Sequence, residues 1–162
     1  MAAGTVTVPT KLKKSQVSYA ATAQYIDFTD HAGSTFKMLL VVAGSGAPNV
    51  TNSGVQFVAD VTGSNAEVTG TGYSRATLSG VAVTNDGTTN TQVDWNWSTV
   101  TFAQNASGFT NARYAVIYTT QLGSADASYP VVCIIDLGSN QSVASASLSI
   151  AAPASNGVLY WS

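Results

Sequence analysis

Few side chains in this sequence are of a kind that does chemistry: a single histidine, a single cysteine and eight acids. A Ser-His-Asp arrangement would have to use His31, in the stretch Thr29-Asp-His-Ala-Gly33. Serines are too plentiful to nominate a nucleophile, and no G-x-S-x-G elbow marks one. The plainer reading makes His31 a turn residue ahead of an apolar run. Structural zinc needs four Cys or His ligands, so His31 and Cys133 cannot supply a site. Calcium needs a cluster of oxygen donors. Asp27 with Asp30, or Asp86 with Asn85 and Asn90, offers a few, but Asx-rich turns account for both groups.

The remaining motifs lead to the same result. Thr69-Gly-Thr-Gly-Tyr-Ser-Arg75 has the glycines of a phosphate loop, but neither the lysine nor the following helix that such a loop requires. It reads as a tight connection in which Gly70 and Gly72 give the backbone freedom. The acids are scattered, and Glu67 is the only glutamate, so no glycosidase pair stands out. Trp95 and Trp97 fall on one face of Gln92-Val-Asp-Trp-Asn-Trp97, where they could stack on a sugar. Aromatic pairs on a strand more often fill a core. Cys133, inside Tyr129-Pro-Val-Val-Cys-Ile-Ile-Asp136, reads as a small buried hydrophobe. No catalytic residue, cofactor or metal is expected.

Charge content narrows the partners. Only 9% of the 162 residues are charged, where soluble domains carry about 25%. With 45% apolar residues and a net charge of −2 the chain is not of disordered composition. Its surface must be built from Ser, Thr, Asn, Gln and Gly, and a near-neutral surface of that kind associates readily. Nucleic-acid binding would need clustered Lys and Arg, and a pI near 4.9 argues against it. Lys11, Lys13 and Lys14 do lie together; they read as a solvated lead-in or as an arm that meets an acidic partner. No secretory signal or apolar span of membrane length is present, so the chain is expected to be made in a cytoplasm with no membrane partner.

Positioning falls to strands. Short apolar segments rich in Val, Ile, Thr and aromatic residues, separated by Gly, Asn, Asp and Ser, predict an all-β fold: one β-sandwich or jelly-roll-like domain over 25–162, preceded by an extended N-terminal arm over 1–24. A first strand at Gln16-Val-Ser-Tyr19 is one reading of the arm. Thr35–Ala43 is a strong strand, and Arg75–Val83 is a strand interrupted by Gly80, followed by a turn at Asn85-Asp-Gly87. Val55–Val61 fits a short helix or a strand equally. The alternation of 92–97 loses phase before Val100 and Phe102, which predicts a turn or bulge at Ser98-Thr99. Arg113–Tyr118 and Val131–Ile135 are apolar at consecutive positions, which implies burial on both faces. Ala144–Ala151 and Val158–Trp161 are read as closing strands.

Several segments, in order, resemble a recurring set of small tailed-phage virion proteins. They are Tyr25-Ile-Asp27, Thr35-Phe-Lys-Met-Leu-Leu40, Glu67-Val-Thr-Gly-Thr-Gly-Tyr-Ser74, Val100-Thr-Phe102, Ala112-Arg-Tyr-Ala-Val-Ile-Tyr118 and Ile135-Asp-Leu-Gly-Ser-Asn-Gln-Ser142. The resemblance implies a β-rich structural protein of a bacteriophage particle with no family catalytic residues to carry over. It leads us to expect a capsid decoration or cement subunit on the virion surface. Its expected partners are the major capsid protein and further copies of itself, a trimer at symmetry axes being one form, with Lys11, Lys13 and Lys14 in the docking arm. The alternative expectation is a receptor- or glycan-binding fibre or tail module, with Tyr73, Trp95 and Tyr160 as contacts.

Overall fold

The run Phe36-Lys-Met-Leu-Leu-Val-Val42, β-branched at its end and closed by Gly44, suits a strand with cover on both faces. In the computed structural model it forms β2, Phe36–Val42, inside a five-stranded sheet. The structure describes residues 6–7, 26–30, 33, 35–43, 55–63, 66–85 and 93–153. Within these the strands are β1, Val6–Thr7; β2; β3, Ala76–Thr77; β4, Ala82–Asn85; β5, Val93–Asn96; β6, Val100–Phe102; β7, Ala112–Thr119; β8, Val131–Gln141; and β9, Leu148–Ile150. One short helix, α1, spans Val58–Thr62. The large sheet has the order β1-β8-β7-β2-β3, while β4-β5 and β6-β9 form two separate ladders. All pairings are antiparallel. The fold is all-β. Among the described residues its second layer is two two-stranded ladders rather than one continuous sheet.

Strand alternation divides the core in two. Phe36, Met38, Leu40, Ala115, Ile117 and Ile135 meet Trp95, Trp97, Phe102, Phe109, Leu148 and Ile150 on one face. Leu39, Val41, Val116, Tyr118 and Ile134 meet Val55, Val58, Val61 and Ala66 on the other. A bulge keeps β8 in step with this division. Ile117 opposes Cys133 and Tyr118 opposes Val131, so Val132 is supernumerary. Val131 therefore joins the second cluster, while Val132 and Cys133 join the first. Each fully buried Val, Leu, Ile or Phe contributes roughly 1.5–3 kcal/mol, so these two layers carry the fold.

Local chemistry sets the remaining elements. Val55–Val61 turns out to be a bridge and then a helix: Phe57 pairs with Pro130 before α1 begins. Asp60 Oδ2 accepts the N–H groups of Gln56 and Phe57 at 2.9 and 2.8 Å, covering donors a helix start leaves unpaired. Val58 and Val61, three apart, are the buried stripe. The expected interruption at Gly80 is found at φ +60 between β3 and β4. The break at Ser98-Thr99 is where the chain leaves the β4 ladder and joins β9. Of the closing strand read over 144–151, only Leu148–Ile150 is paired. Within the stretch read as an arm, Val6 and Thr7 pair with Ile135 and Ile134 and so belong to the large sheet. The strand read at 16–19, the turn residues 86–87 and the strand read at 158–161 lie outside the described residues.

One close approach positions the polar site described below. Thr71 N–H donates to Ser107 O, Asn105 N–H to Val143 O and Val143 N–H to Phe109 O. The first bond draws the 69–73 turn onto 105–109, with Gly70 at the contact, and the other two fix 105–109 against Val143. A Cβ on Gly70 would lie 2.6 Å from Phe109 N and 2.9 Å from the carbonyl carbon of Gly108. Both are backbone atoms and cannot swing aside, so Gly70→Ala is expected to destabilise the fold by about 1–3 kcal/mol. Gly63→Ala, where a Cβ meets nothing within 4 Å, is expected to leave stability nearly unchanged. Urea unfolding monitored by tryptophan fluorescence compares the two variants.

Candidate functional site: a clasp on Arg75

Beyond the end of β3, residues 66–68 take over the edge of β2. Val42 N–H donates to Ala66 O at 2.8 Å and Val68 N–H to Leu40 O at 3.0 Å. The chain then reverses through Gly70 and Gly72, the latter at φ +79, and returns through Arg75 to β3. Glu67 and Arg75 thus stand on the two legs of one turn. Asp126 arrives from the β7–β8 loop, where Ser128 Oγ accepts from Ser124 and Ala125 N–H and donates to Ala125 O. The same loop is tied to α1, because Ala59 N–H donates to Asp126 O at 3.0 Å.

Arg75 joins these pieces. Its Nε and Nη2 donate to Glu67 Oε1 and Oε2 at 2.9 and 2.7 Å. Its Nη1 and Nη2 donate to Asp126 Oδ1 and Oδ2 at 2.6 and 2.7 Å. Nη1 also reaches Tyr118 Oη at 3.5 Å, and the guanidinium lies 5.6 Å from the centre of the Tyr118 ring. A guanidinium has five N–H donors, and this geometry engages all of them. Both carboxylates are bidentate, the arrangement in which an Arg pair is strongest. Tyr73 extends the network, donating to Glu67 Oε1 at 2.9 Å and accepting Leu40 N–H at 3.0 Å. Its ring packs against Phe102 and Phe109. The group is half-buried: Arg75, Glu67 and Asp126 side chains are 25%, 22% and 37% exposed.

This chemistry is that of a fastener. Its open side is a cleft of about 480 Å³ bordered by Thr62, Glu67, Thr69, Tyr73, Arg75 and Asp126. General acid–base work needs a group whose proton affinity lies near neutral pH. Hydrogen bonds to Asp126 and then Glu67 raise the Arg75 value, so the cation is permanent. The Arg75 hydrogen bonds hold Asp126 below its ordinary value. Burial, with Glu67 beside it, pushes the Tyr73 hydroxyl upward, so it stays protonated and serves as a donor. Burial also pushes up the Cys133 thiol, which disfavours a nucleophilic thiolate. Among the described residues no three His, Cys, Asp or Glu side chains gather as metal ligands.

The residues singled out in the sequence are distributed unevenly around this site. Tyr73 is part of it. Trp95 is not: it is 2% exposed, between Phe28, Phe36 and Trp97, and its Nε1–H donates to Phe28 O at 2.9 Å. No ring face is left for a sugar, so Trp95 leaves the set of glycan contacts; burying a large aromatic with its N–H satisfied is the stronger use of it. Tyr160, Lys11, Lys13, Lys14 and His31 lie outside the described residues. Asp27 Oδ1 accepts Thr29 N–H at 2.9 Å and Asp30 Oδ1 accepts Thr35 N–H at 3.2 Å, so both carboxylates brace turns. Arg75 and Asp126 had no signal as a pair, being 51 residues apart. Glu67 and Arg75 flanking a glycine turn were the only legible half of the clasp.

Comparison with protein-family models, with curated proteins and with solved structures returns no match.

Removing the cation strands two carboxylates. Arg75→Met is expected to destabilise the fold by about 1–3 kcal/mol, less than the 3–5 typical of a fully buried pair because solvent reaches the clasp. The pH dependence has a definite sign. Asp126 is held below its ordinary value of 3.8, so the unfolded chain takes the proton more readily. Its stabilisation is complete above that value and is lost as pH falls through the lower folded value. Thermal melts from pH 6 to pH 2 are expected to show this acid loss in the wild type and a shallower one in Arg75→Met.

Proposed function

We propose that this protein is a structural subunit of a bacteriophage virion, a capsid decoration or cement protein that joins surfaces and catalyses nothing. The observation that carries the reading is the Arg75 clasp. The most elaborate polar constellation among the described residues spends every guanidinium donor inside the chain, binding the 66–75 turn to the β7–β8 loop. A site so arranged holds a shape and leaves no group poised to transform a substrate. The composition supports the same reading. With 9% charged residues, neighbouring subunits repel weakly and can pack at close quarters.

The outer face of the β6–β9 ladder fits this use. Thr101 and Ser149 are exposed and hydrogen-bonded to each other at 3.0 Å, with Gln104 and Ser147 beside them. This is an uncharged hydroxyl- and amide-bearing surface, suited to directional contacts without charge pairing. The proposed partners are the major capsid protein and further copies of the chain. The glycan-binding alternative retains Tyr73, at the cleft, but its hydroxyl is already engaged and Trp95 is withdrawn.

Copy number distinguishes these roles. Quantitative mass spectrometry of purified particles is expected to give a ratio to the major capsid protein near one or a simple fraction of it. A handful of copies per particle would transfer the protein to the tail or a unique vertex. Absence from particles would overturn the proposal.

A further inference from the structure

β8 presents its outer edge to whatever lies beyond β7. An uncovered strand edge is a template for further pairing, and proteins normally blunt it with charge, proline or a covering segment. From Val131 to Ile135 this strand carries no charge, and all five side chains are buried. Its edge is closed in two places. At the start, Val131 N–H donates to Gln56 O at 2.9 Å and Phe57 bridges Pro130. In the middle, Val6 and Thr7 pair with Ile135 and Ile134.

Past that point β8 bulges away from β7 in an ordered turn before Gln141 rejoins it opposite Ala112. Asp136 Oδ1 accepts Gly138 N–H at 2.7 Å, and Arg113 pins the turn by donating to Asp136 Oδ2 at 2.8 Å and to Gly138 O. The result is a bounded slot, stopped at one end by Gln56–Phe57 and at the other by the Asp136–Gly138 turn. It admits a short extended segment. Val6 and Thr7 are both β-branched, which suits such a slot.

We propose that this slot is the self-association site of the protein, filled in the assembled state by β1 of a neighbouring copy. The proposal rests on the self-joining role proposed above and names the surface that performs it. The occupant and its register are those of the structure; only the chain that supplies it changes. β1 is joined to Ile26 through residues 8–25, which fully extended reach about 60 Å. That exceeds the roughly 40 Å diameter expected of a domain this size, so the strand can serve its own sheet or the next. Subunits packed side by side present a neighbour's slot within this reach, and the ladder formed is the same. Exchange of an identical element is for this reason a low-cost route to an oligomer.

Disulfide trapping tests the exchange in the purified full-length chain. In a Cys133→Ser background, one chain carries Thr7→Cys and another Ile134→Cys, so neither can close on itself. Mixed at about 1 mM and oxidised, they are expected to give the disulfide heterodimer as the main product. Thr7→Cys mixed with Ser149→Cys, on the other layer, is expected to stay monomeric. A double variant that closes within one chain while the mixed single variants remain monomeric overturns the proposal. Equal dimer from the Ser149→Cys control overturns it as well. Because Ile134 lies in the core, the wild-type chain gives a second readout. Its light-scattering mass at about 1 mM should exceed one chain and fall to one chain when residues 1–8 are removed, with the near-ultraviolet dichroism of the tryptophans retained. A mass unchanged by that removal refutes exchange. High copy number in particles without heterodimer would remove the exchange and leave the virion role standing.

Discussion

At the centre of the sheet, Val116 and Ile117 are adjacent and both fully buried, one on each face. No strand can achieve this alone, so β7 obliges the rest of the chain to provide two covers. The first is the aromatic layer of Trp95, Trp97, Phe102 and Phe109, brought in by the two small ladders. The second is α1 with its flanking residues, a five-residue helix that would have no independent stability. The second cover is thin, which is why it needs fastening from outside. Arg75 supplies that fastening by binding Asp126, whose backbone carbonyl in turn holds Ala59 of α1.

Stability and charge economy are linked through this arrangement. The described residues contain three ion pairs, Arg75 with Glu67, Arg75 with Asp126, and Arg113 with Asp136. Two of them lock the 66–75 turn to itself and to the β7–β8 loop, and the third joins Arg113 of β7 to Asp136 at the bulge of β8. Exposed single pairs contribute little, whereas a bidentate guanidinium between two half-buried carboxylates holds a geometry as well as a charge. Among the described residues these five charged side chains sit where segments of the chain meet. The exposed face of the β6–β9 ladder carries hydroxyl groups, on Thr101, Ser147 and Ser149.

The all-β class was legible in the residues because strand burial leaves a signature that needs no tertiary information. Consecutive apolar positions at 38–42, 114–118 and 131–135 are best satisfied between two layers, and these segments fall in β2, β7 and β8. The phase slip after Trp97 and the interruption at Gly80 were legible for the same reason, since each is a local property of the backbone. Which strands pair was not. The order β1-β8-β7-β2-β3 depends on which apolar faces complement one another, and many orders bury the same residues. Val55–Val61 was ambiguous because a run this short contains less than two helical turns; the bond from Ala59 to Asp126 and the bridge from Phe57 to Pro130 decided it.

By itself, then, the sequence determined the materials: strands, a low charge content, and glycines at the turn between Glu67 and Arg75. Tertiary structure decided how they were used. It buried Trp95, which the alternation alone left free to be either platform or core. It drew Asp126 across 51 positions to Arg75, and it placed Val6 and Thr7 on the edge of β8. The physical reason is common to all three. Periodicity records which side of its own strand a residue occupies, whereas a clasp, a core tryptophan and a sheet edge are defined by what a distant part of the chain brings to that side.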